Sequence, residues 1–134
     1  MVQIVGKYQY VSNENFEEFM KALGHAELVN PFLQAKPLID VQRNGDQWTI
    51  VVTSGDRTTT ASFKLNEPYE EKLPSSDRKF KSVTTLDGNN FRTETQVSDT
   101  LKVIRVYEFL DTEMKVYLSM NKGDLKATRT YKRL

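Results

Sequence analysis

The 134-residue chain carries a formal net charge of +1 and contains no cysteine. A chain of this length typically buries roughly two-thirds of its unfolded surface, so we expect residues 1–134 to form a single domain. The balanced charge disfavours a dedicated nucleic-acid binder, and the lack of thiols excludes disulfides, thiol catalysis and thiolate metal sites.

The amino-terminal region and the hydropathy pattern indicate a protein of the cell interior. Residues 1–7 lack a basic head followed by a long apolar run, so no signal peptide is predicted. The most apolar segment, residues 48–52, is far too short to span a bilayer. We therefore expect a soluble, cytoplasmic protein.

The first predicted elements are a strand and two helices. Residues 6–11 alternate as a strand does, and then four apolar side chains recur at i, i+3, i+4 and i+7, the spacing of an amphipathic helix that stops at Gly24. A weaker second helix is predicted around residues 26–35, either beginning late with Pro31 in its first turn or kinked there. The four apolar residues are Phe16, Phe19, Met20 and Leu23.

The chain after residue 37 is predicted to consist of strands and turns. The strongest hairpin signals are Asn-Gly-Asp at 44–46 and Asp-Gly-Asn at 87–89. About ten strands result, with turn signals roughly every eight to twelve residues, which favours an antiparallel meander closed into a barrel. After the helices, the predicted strands are 38–43, 47–53, 57–65, 67–73, 79–86, 90–97, 101–109, 114–120 and 125–134.

The last predicted strand carries the strongest candidate for a binding site. Alternation places lysines and threonines on one face, which suits solvent, so Arg129 and Tyr131 should point inward with Leu125 and Ala127. A buried guanidinium is costly to desolvate without an anion, and arginine holds a carboxylate by a planar two-pronged hydrogen bond. The alternative is an exposed edge strand with ordinary surface charges.

The pattern of chemically reactive residues argues against catalysis. His25 is the only histidine, so no serine triad, two-histidine metal site or histidine-based acid–base pair can form. No glycine-rich phosphate loop is present, and the acidic pairs at 17–18 and 70–71 are interpreted as solvated faces. We therefore expect no enzyme, no metal and no cofactor; the alternative is an isomerase or hydrolase acting on a lipid in the same cavity.

Polar residues on the strands indicate a wet cavity rather than a solid core. A barrel interior that mixes threonine, serine and arginine with apolar residues would suit an amphipathic ligand. Phe16 and Met20 are interpreted first as core or lid packing and alternatively as ligand contacts. The polar residues are Thr84, Thr93, Thr95, Ser119 and the run at 58–60.

Five segments share their order and approximate spacing with a known protein family: Gly-Lys-Tyr at 6–8, and residues 15–24, 62–65, 77–82 and 129–131. In these segments the chain resembles the intracellular lipid-binding proteins, the family of cytosolic fatty acid-binding and cellular retinoid-binding proteins. The resemblance implies an all-β fold, a ten-stranded antiparallel up-and-down β-barrel (β-clam) capped by a helix-turn-helix lid. It also implies that Arg129 and Tyr131 bind the carboxylate of a long-chain fatty acid, often beside a second arginine one hairpin earlier.

The second arginine position is open in this sequence, because about four extra residues separate it from Arg129. The family position falls on Arg105, Tyr107 or Phe109, which share a parity and therefore a face. We predict that this face points inward, with Arg105 as the partner, directly or through water, and the Tyr107 hydroxyl nearby. The alternative is that a bulge turns Arg105 outward.

The expected function is that of a monomeric carrier that moves a fatty acid through the cytosol. A retinoid, a bile acid or another anionic lipid is the alternative ligand. The turn at 54–57 lacks the phenylalanine that the family usually places at the portal. Lys21 and Lys36 would bring the lid into transient contact with an anionic membrane surface, and no nucleic-acid partner is expected.

Overall fold

The computed structural model describes residues 4–22, 36–55, 57–72, 79–96, 99–121, 123 and 125–134. Within them the chain forms one helix and ten strands. The second predicted helix, around residues 26–35, lies outside the described residues. The elements are β1 (Gly6–Glu14), α1 (Phe16–Ala22), β2 (Leu38–Asn44), β3 (Gln47–Ser54), β4 (Arg57–Lys64), β5 (Tyr69–Lys72), β6 (Lys79–Asp87), β7 (Asn90–Gln96), β8 (Lys102–Phe109), β9 (Glu113–Met120) and β10 (Lys126–Arg133).

The ten strands form one antiparallel sheet that curls into a nearly closed barrel. Its order is β4-β3-β2-β1-β10-β9-β8-β7-β6-β5, so strands that follow each other in sequence are paired, except β4 and β5, and β1 pairs with β10. At the two free edges, β4 and β5 contact each other without a shared ladder, and the Asn66 amide donates to the Thr84 carbonyl at 2.9 Å. The predicted up-and-down barrel is confirmed.

Two strand bounds differ from the predictions by more than one residue, each for an identifiable reason. β5 begins only at Tyr69, because Pro68 lacks the amide hydrogen that a ladder needs. β1 continues to Glu14, three residues beyond the predicted end at residue 11. A register shift between Tyr10 and Ser12 lets β1 keep its pairing with β10 to that point.

Aromatic side chains fill the end of the barrel that lies away from α1. The Phe91 ring meets Trp48 edge-on at 4.9 Å between centroids and Phe109 at 5.4 Å, and Phe109 lies 5.8 Å from Tyr8. All of these side chains are buried. Each contributes about 1.5–3 kcal/mol by burial, and the edge-to-face contacts add roughly 0.5–1.5 kcal/mol, so this end is a solid core.

The interior becomes less tightly filled toward the end capped by α1. On β3, Trp48 is 6% exposed, whereas Ile50 and Val52 on the same face are half-buried. On β4, Phe63 is 3% exposed, whereas Ala61 is half-buried. The inward side chains of these two strands therefore become more exposed toward the helical end of the barrel.

A β-bulge at Val11 controls which residues of β1 point inward. Tyr10 pairs with Tyr131, but the next partners are Ser12 with Thr130, so Val11 is an extra residue and is 57% exposed. The extra residue reverses the alternation, and it brings Asn13 opposite Arg129.

The helix α1 follows β1 through a tight turn and lies against β10. Asn15 takes a φ of 57°, a left-handed conformation that asparagine tolerates better than most residues. Phe16 and Phe19 are buried and Met20 is half-buried, which confirms the predicted apolar face as far as Ala22. Leu23 and Gly24, predicted at the end of this helix, lie outside the described residues.

Candidate carboxylate-binding site

The inner face of β10 is the one that alternation predicts. Ala127 is 3% exposed, Tyr131 is fully buried and Arg129 is half-buried, whereas Lys126 and Lys132 are exposed. β10 pairs with β1 on one side and β9 on the other. The alternative of an exposed edge strand is therefore excluded.

Strand register places the predicted site residues at neighbouring levels of the barrel. Val116 on β9 pairs with both Arg129 and Tyr107, so these two lie at one level, two strands apart. Met114 likewise joins Tyr131 to Phe109 at the next level toward the aromatic core. Both β9 residues are fully buried and apolar. An apolar strip of β9 therefore separates the polar side chains of β8 from those of β10.

Aromatic rings surround the Arg129 guanidinium. Its Cζ atom lies 5.4 Å from the centre of the Phe16 ring and 5.9 Å from the centre of the Tyr131 ring. Such contacts offset part of the cost of desolvating a cation, about 0.5–2 kcal/mol, but they satisfy no N–H donor. Phe16, predicted as lid packing or ligand contact, covers Arg129 from α1. Met20 packs half-buried against the core.

The Tyr131 hydroxyl is buried, and it has no hydrogen-bond partner among the described residues. Burial raises the pKa of Tyr131 to about 12; Arg129 lowers that pKa, and the nearby Tyr107 and Tyr10 raise it further. A buried hydroxyl without an acceptor costs about 1–3 kcal/mol. Such a cost marks a position where a ligand oxygen would be stabilised.

Arg105 and Tyr107 both lie on the inner face of β8, and they contact each other. The Arg105 Nη1 group donates to the Tyr107 hydroxyl at 3.1 Å, and Nη2 donates to the Thr95 hydroxyl at 3.1 Å. β8 stays in register with β9 from Val103 to Phe109, so the alternative of a bulge that turns Arg105 outward is excluded. The turn at 110–113 is closed by a 2.8 Å bond from the Leu110 amide to the Glu113 carbonyl, and it leaves the alternation of β8 unchanged.

Two residues near the site were not predicted from the sequence. The Asn13 side-chain amide donates to the Tyr10 hydroxyl, and the Tyr10 ring meets the Tyr131 ring edge-on at 5.7 Å. Alternation with Tyr8 could have identified Tyr10 as an inward residue. Asn13 gave no such signal, because its direction depends on the bulge at Val11.

The predicted polar interior is found on β6 and β7, but the predictions for Thr58 and Thr60 on β4 are wrong, because both are exposed. Thr84, Thr93 and Thr95 are buried, and so is Ser82, which the sequence did not single out. The prediction for Ser119 is also wrong. Ser119 directly follows the buried, inward Leu118, so its side chain points to the opposite face, and its partner on β10 is the exposed Lys126.

The described part of the chain contains no group of histidine or acidic side chains that could hold a metal ion. None of its helices is long and apolar enough to cross a membrane.

Comparison with known proteins shows similarity along almost the whole chain. The family model described as "Lipocalin / cytosolic fatty-acid binding protein family" matches residues 5–133. The adipocyte fatty acid-binding protein of Pygoscelis papua is 34% identical over 132 residues, 98% of this chain and 97% of that protein. The structure of a fatty acid-binding protein from the brain of Drosophila melanogaster matches with a TM-score of 0.78 and 34% identity, over 97% of this chain and 99% of that one. A Schistosoma mansoni fatty acid binding protein in complex with arachidonic acid matches with a TM-score of 0.85 and 26% identity, over 97% and 95%.

Proposed function

This chain belongs to the lipocalin / cytosolic fatty-acid binding protein family, and we propose that it is a non-catalytic carrier of one long-chain fatty acid in the cytosol. The observation that carries the proposal is the buried Tyr131 hydroxyl: it has no acceptor among the described residues, and its ring lies beside the Arg129 guanidinium. A ligand carboxylate supplies that acceptor and also neutralises the arginine.

The hydrogen-bond donors at the site match the needs of a carboxylate. The Tyr107 oxygen already accepts a hydrogen bond from Arg105, so its own proton points to another acceptor. Tyr131 offers a second O–H, and Arg129 offers the planar N–H fork that binds a carboxylate. Arg105 then acts on the carboxylate through Tyr107, because it orients the tyrosine hydroxyl and adds positive charge.

The chain of the ligand would extend from this site toward the helical end of the barrel. Half-buried apolar side chains, among them Ile50, Val52 and Met120, face the interior there. The arachidonic acid complex of the Schistosoma mansoni relative supports a long-chain ligand. A retinoid, a bile acid or another anionic lipid would use the same donors and is the alternative.

The groups at the proposed site bind an anion but do not form a nucleophile with a general base, so we propose no chemical step. The protein is proposed to act as a monomer. Transient membrane contact through Lys21 and Lys36 stays a prediction. Both lysines are exposed, but Lys21 Nζ lies 3.8 Å from Glu17, which offsets part of its charge.

Titration of delipidated protein with fatty acids, retinoids and bile acids tests the proposed function. We expect saturable one-to-one binding that is tightest for a fatty acid and much weaker for its methyl ester, which cannot accept the two-pronged hydrogen bond. Equal affinity for acid and ester, or no saturable binding of any fatty acid, would overturn the proposal.

A double-mutant cycle tests whether Arg105 and Arg129 serve one anion. We expect Arg105→Gln and Arg129→Gln each to weaken fatty-acid binding and the combined loss to differ from the sum, because both cations act on the same carboxylate. Strictly additive losses, or no loss for Arg105→Gln, would contradict a shared site.

A further inference from the structure

The interior of the barrel has one polar wall, formed by β6 and β7. Hydroxyl-bearing side chains there are joined in cross-strand pairs, with Thr84 and Thr93 oxygens 2.8 Å apart and the Tyr69 hydroxyl 2.7 Å from Thr84. The inner face of β3, in contrast, carries the apolar side chains Trp48, Ile50 and Val52. The four buried hydroxyl residues of the polar wall are Ser82, Thr84, Thr93 and Thr95, at 1%, 0%, 3% and 8% exposure.

The pair formed by Ser82 and Thr95 has two O–H protons, and only one of them finds an acceptor within the pair. Their hydroxyl oxygens lie 2.8 Å apart, and this contact uses one of their two O–H protons whichever residue donates. Arg105 also donates to Thr95, so it takes up an acceptor site and supplies none. One buried O–H proton of this pair therefore has no acceptor among the described residues.

The surplus donor is connected to the proposed carboxylate site. Arg105 bonds to both Thr95 and Tyr107, so Ser82, Thr95, Arg105 and Tyr107 form one continuous polar track. Tyr107 pairs with Phe91 and Val103 pairs with Thr95, so the two ends of the track are four residues apart along β8. At the rise of a strand these two backbone levels are roughly 13 Å apart, but the Tyr107 and Thr95 hydroxyls lie closer together, because the single Arg105 guanidinium bonds to both at 3.1 Å. The Ser82–Thr95 pair is displaced from Tyr107 toward the helical end, along the course proposed for the ligand chain.

We infer that the Ser82–Thr95 pair is a second binding site inside the barrel, for an oxygen carried along the ligand chain. The ligand class is a fatty acid with a hydroxyl, keto or epoxide group between its carboxylate and its methyl end. An oxygen at that point accepts the surplus O–H proton, whereas a methylene leaves the proton without an acceptor. This inference rests on the proposed function, because the carboxylate fixes how far along the chain the oxygen must lie.

A positional series of hydroxy and keto fatty acids of one chain length tests this inference. Each isomer and the plain acid are titrated against delipidated protein by calorimetry. We expect one narrow range of positions to bind about threefold to tenfold more tightly than the plain acid, the gain typical of one added hydrogen bond. The keto isomer at that position should share the gain, because the ligand oxygen acts as an acceptor.

The matched variants locate the preference on the polar wall. Ser82→Ala combined with Thr95→Val removes both hydroxyls, so the ratio of the two affinities, oxygenated to plain, should fall to about one. The control is Ser62→Ala combined with Thr49→Val, which removes a similar cross-strand pair on the outside of the barrel, with oxygens 3.2 Å apart. The control should keep the full ratio.

The ratio of the affinities for oxygenated and plain fatty acid tests the second site independently of the proposed carrier function. Thr95→Val also removes an acceptor for Arg105, so affinity for the plain acid can fall in the inner variant without affecting the conclusion. Tight binding of the plain acid with no preference at any position would overturn the second site and leave the carrier function intact. A preference that survives in the inner double variant would also overturn it. Failure of every fatty acid to bind would reject the proposed function itself.

Discussion

The seam between β1 and β10 carries two arginine–tyrosine pairs, one across the two strands and one along β10, each with the guanidinium against the tyrosine ring. The Arg133 guanidinium lies 4.8 Å from the centre of the Tyr8 ring, and that of Arg129 lies 5.9 Å from the centre of the Tyr131 ring. Both tyrosines are fully buried. The two pairs differ in where their polar atoms find hydrogen-bond partners.

The pair of Arg133 and Tyr8 is satisfied by backbone carbonyls. The Tyr8 hydroxyl donates to the Ile4 carbonyl at 2.7 Å. Arg133 donates from Nε and Nη2 to the Leu110 carbonyl, at 3.4 and 3.3 Å, and from Nη1 to the Val5 carbonyl at 3.5 Å. These bonds join the start of β1, the β8–β9 turn and the end of β10, so the pair stabilises the closed barrel.

The pair of Arg129 and Tyr131 leaves a donor for a ligand, because the Tyr131 hydroxyl has no acceptor in the described part of the chain. We propose that the same residue types on the same seam serve two purposes. The source of the hydrogen-bond acceptors, and not the identity of the side chains, distinguishes the structural pair from the proposed binding pair.

The largest expected effect distinguishes the two arginines: replacing Arg129 should reduce ligand affinity, and replacing Arg133 should reduce stability. Arg129→Ala should weaken fatty-acid binding by about 1.5–3 kcal/mol, the range for charged hydrogen bonds, and leave the fold intact. Arg133→Ala should leave affinity unchanged and lower the free energy of unfolding by about 1–2 kcal/mol, because it loses its carbonyl contacts and its ring contact. Calorimetric titration and urea unfolding measure the two quantities.

Arg129→Lys sharpens the same comparison, because the charge is kept and the planar fork is lost. It should recover only part of the affinity that Arg129→Ala loses. Full recovery by lysine, or an affinity loss in Arg133→Ala as large as that in Arg129→Ala, would remove the distinction between the two pairs.

The second prediction concerns alkaline pH. In the unfolded chain Tyr131 ionises near its ordinary pKa of 10.0, whereas in the folded protein burial raises its pKa to about 12. The folded state therefore keeps a proton that the unfolded state loses, so stability is full below pH 10 and falls between pH 10 and 12. At pH 11 this loss is about 1.4 kcal/mol.

Tyr131→Phe should remove that part of the alkaline loss when urea unfolding is compared at pH 9 and pH 11. Tyr8→Phe is the matched variant: burial raises the pKa of Tyr8 as well, but Arg133 opposes the rise. We expect a smaller change for Tyr8→Phe. An unchanged pH dependence in Tyr131→Phe would contradict the burial of this hydroxyl.

The smallest expected effects have opposite signs at neutral pH. Tyr8→Phe deletes a satisfied hydrogen bond and should destabilise the ligand-free protein by about 0.5–1.5 kcal/mol without changing fatty-acid affinity. Tyr131→Phe deletes a hydroxyl that has no acceptor, so it should leave the ligand-free protein as stable or more stable and weaken fatty-acid binding by a similar amount. If both variants destabilised the ligand-free protein equally, the two tyrosines would not differ as described.

The inward direction of Arg129 and Tyr131 was predictable because a regular strand has a period of two. β10 pairs with β9 without a shift from Lys126 to Lys132, so each side chain points where alternation puts it. The same reasoning placed Arg105 and Tyr107 on one face, although it could not choose between them. The structure shows both facing inward and joined to each other.

The sequence could not reveal features that depend on pairing between distant strands. Asn13 faces the interior only because the bulge at Val11 shifts β1 against β10. Arg133 is satisfied by carbonyls of residues far away in sequence, so its sequence neighbours do not show its role. Ser119 was predicted on the wrong face because a serine fits either face of a strand. Its position next to the inward Leu118 places it on the outer face.

The β1–β10 ladder also has a consequence for how the protein folds. It joins the first strand to the last, as in the bond from the Leu134 amide to the Lys7 carbonyl at 2.9 Å, so its formation closes the longest loop in the chain. Contacts so distant in sequence are entropically costly and form late, after the local hairpins. Arg129 and Tyr131 meet Asn13 and Tyr10 across this ladder, so the proposed anion site is complete only once the barrel has closed. We therefore expect a newly made chain to gain the proposed capacity to hold a carboxylate at the final step of folding.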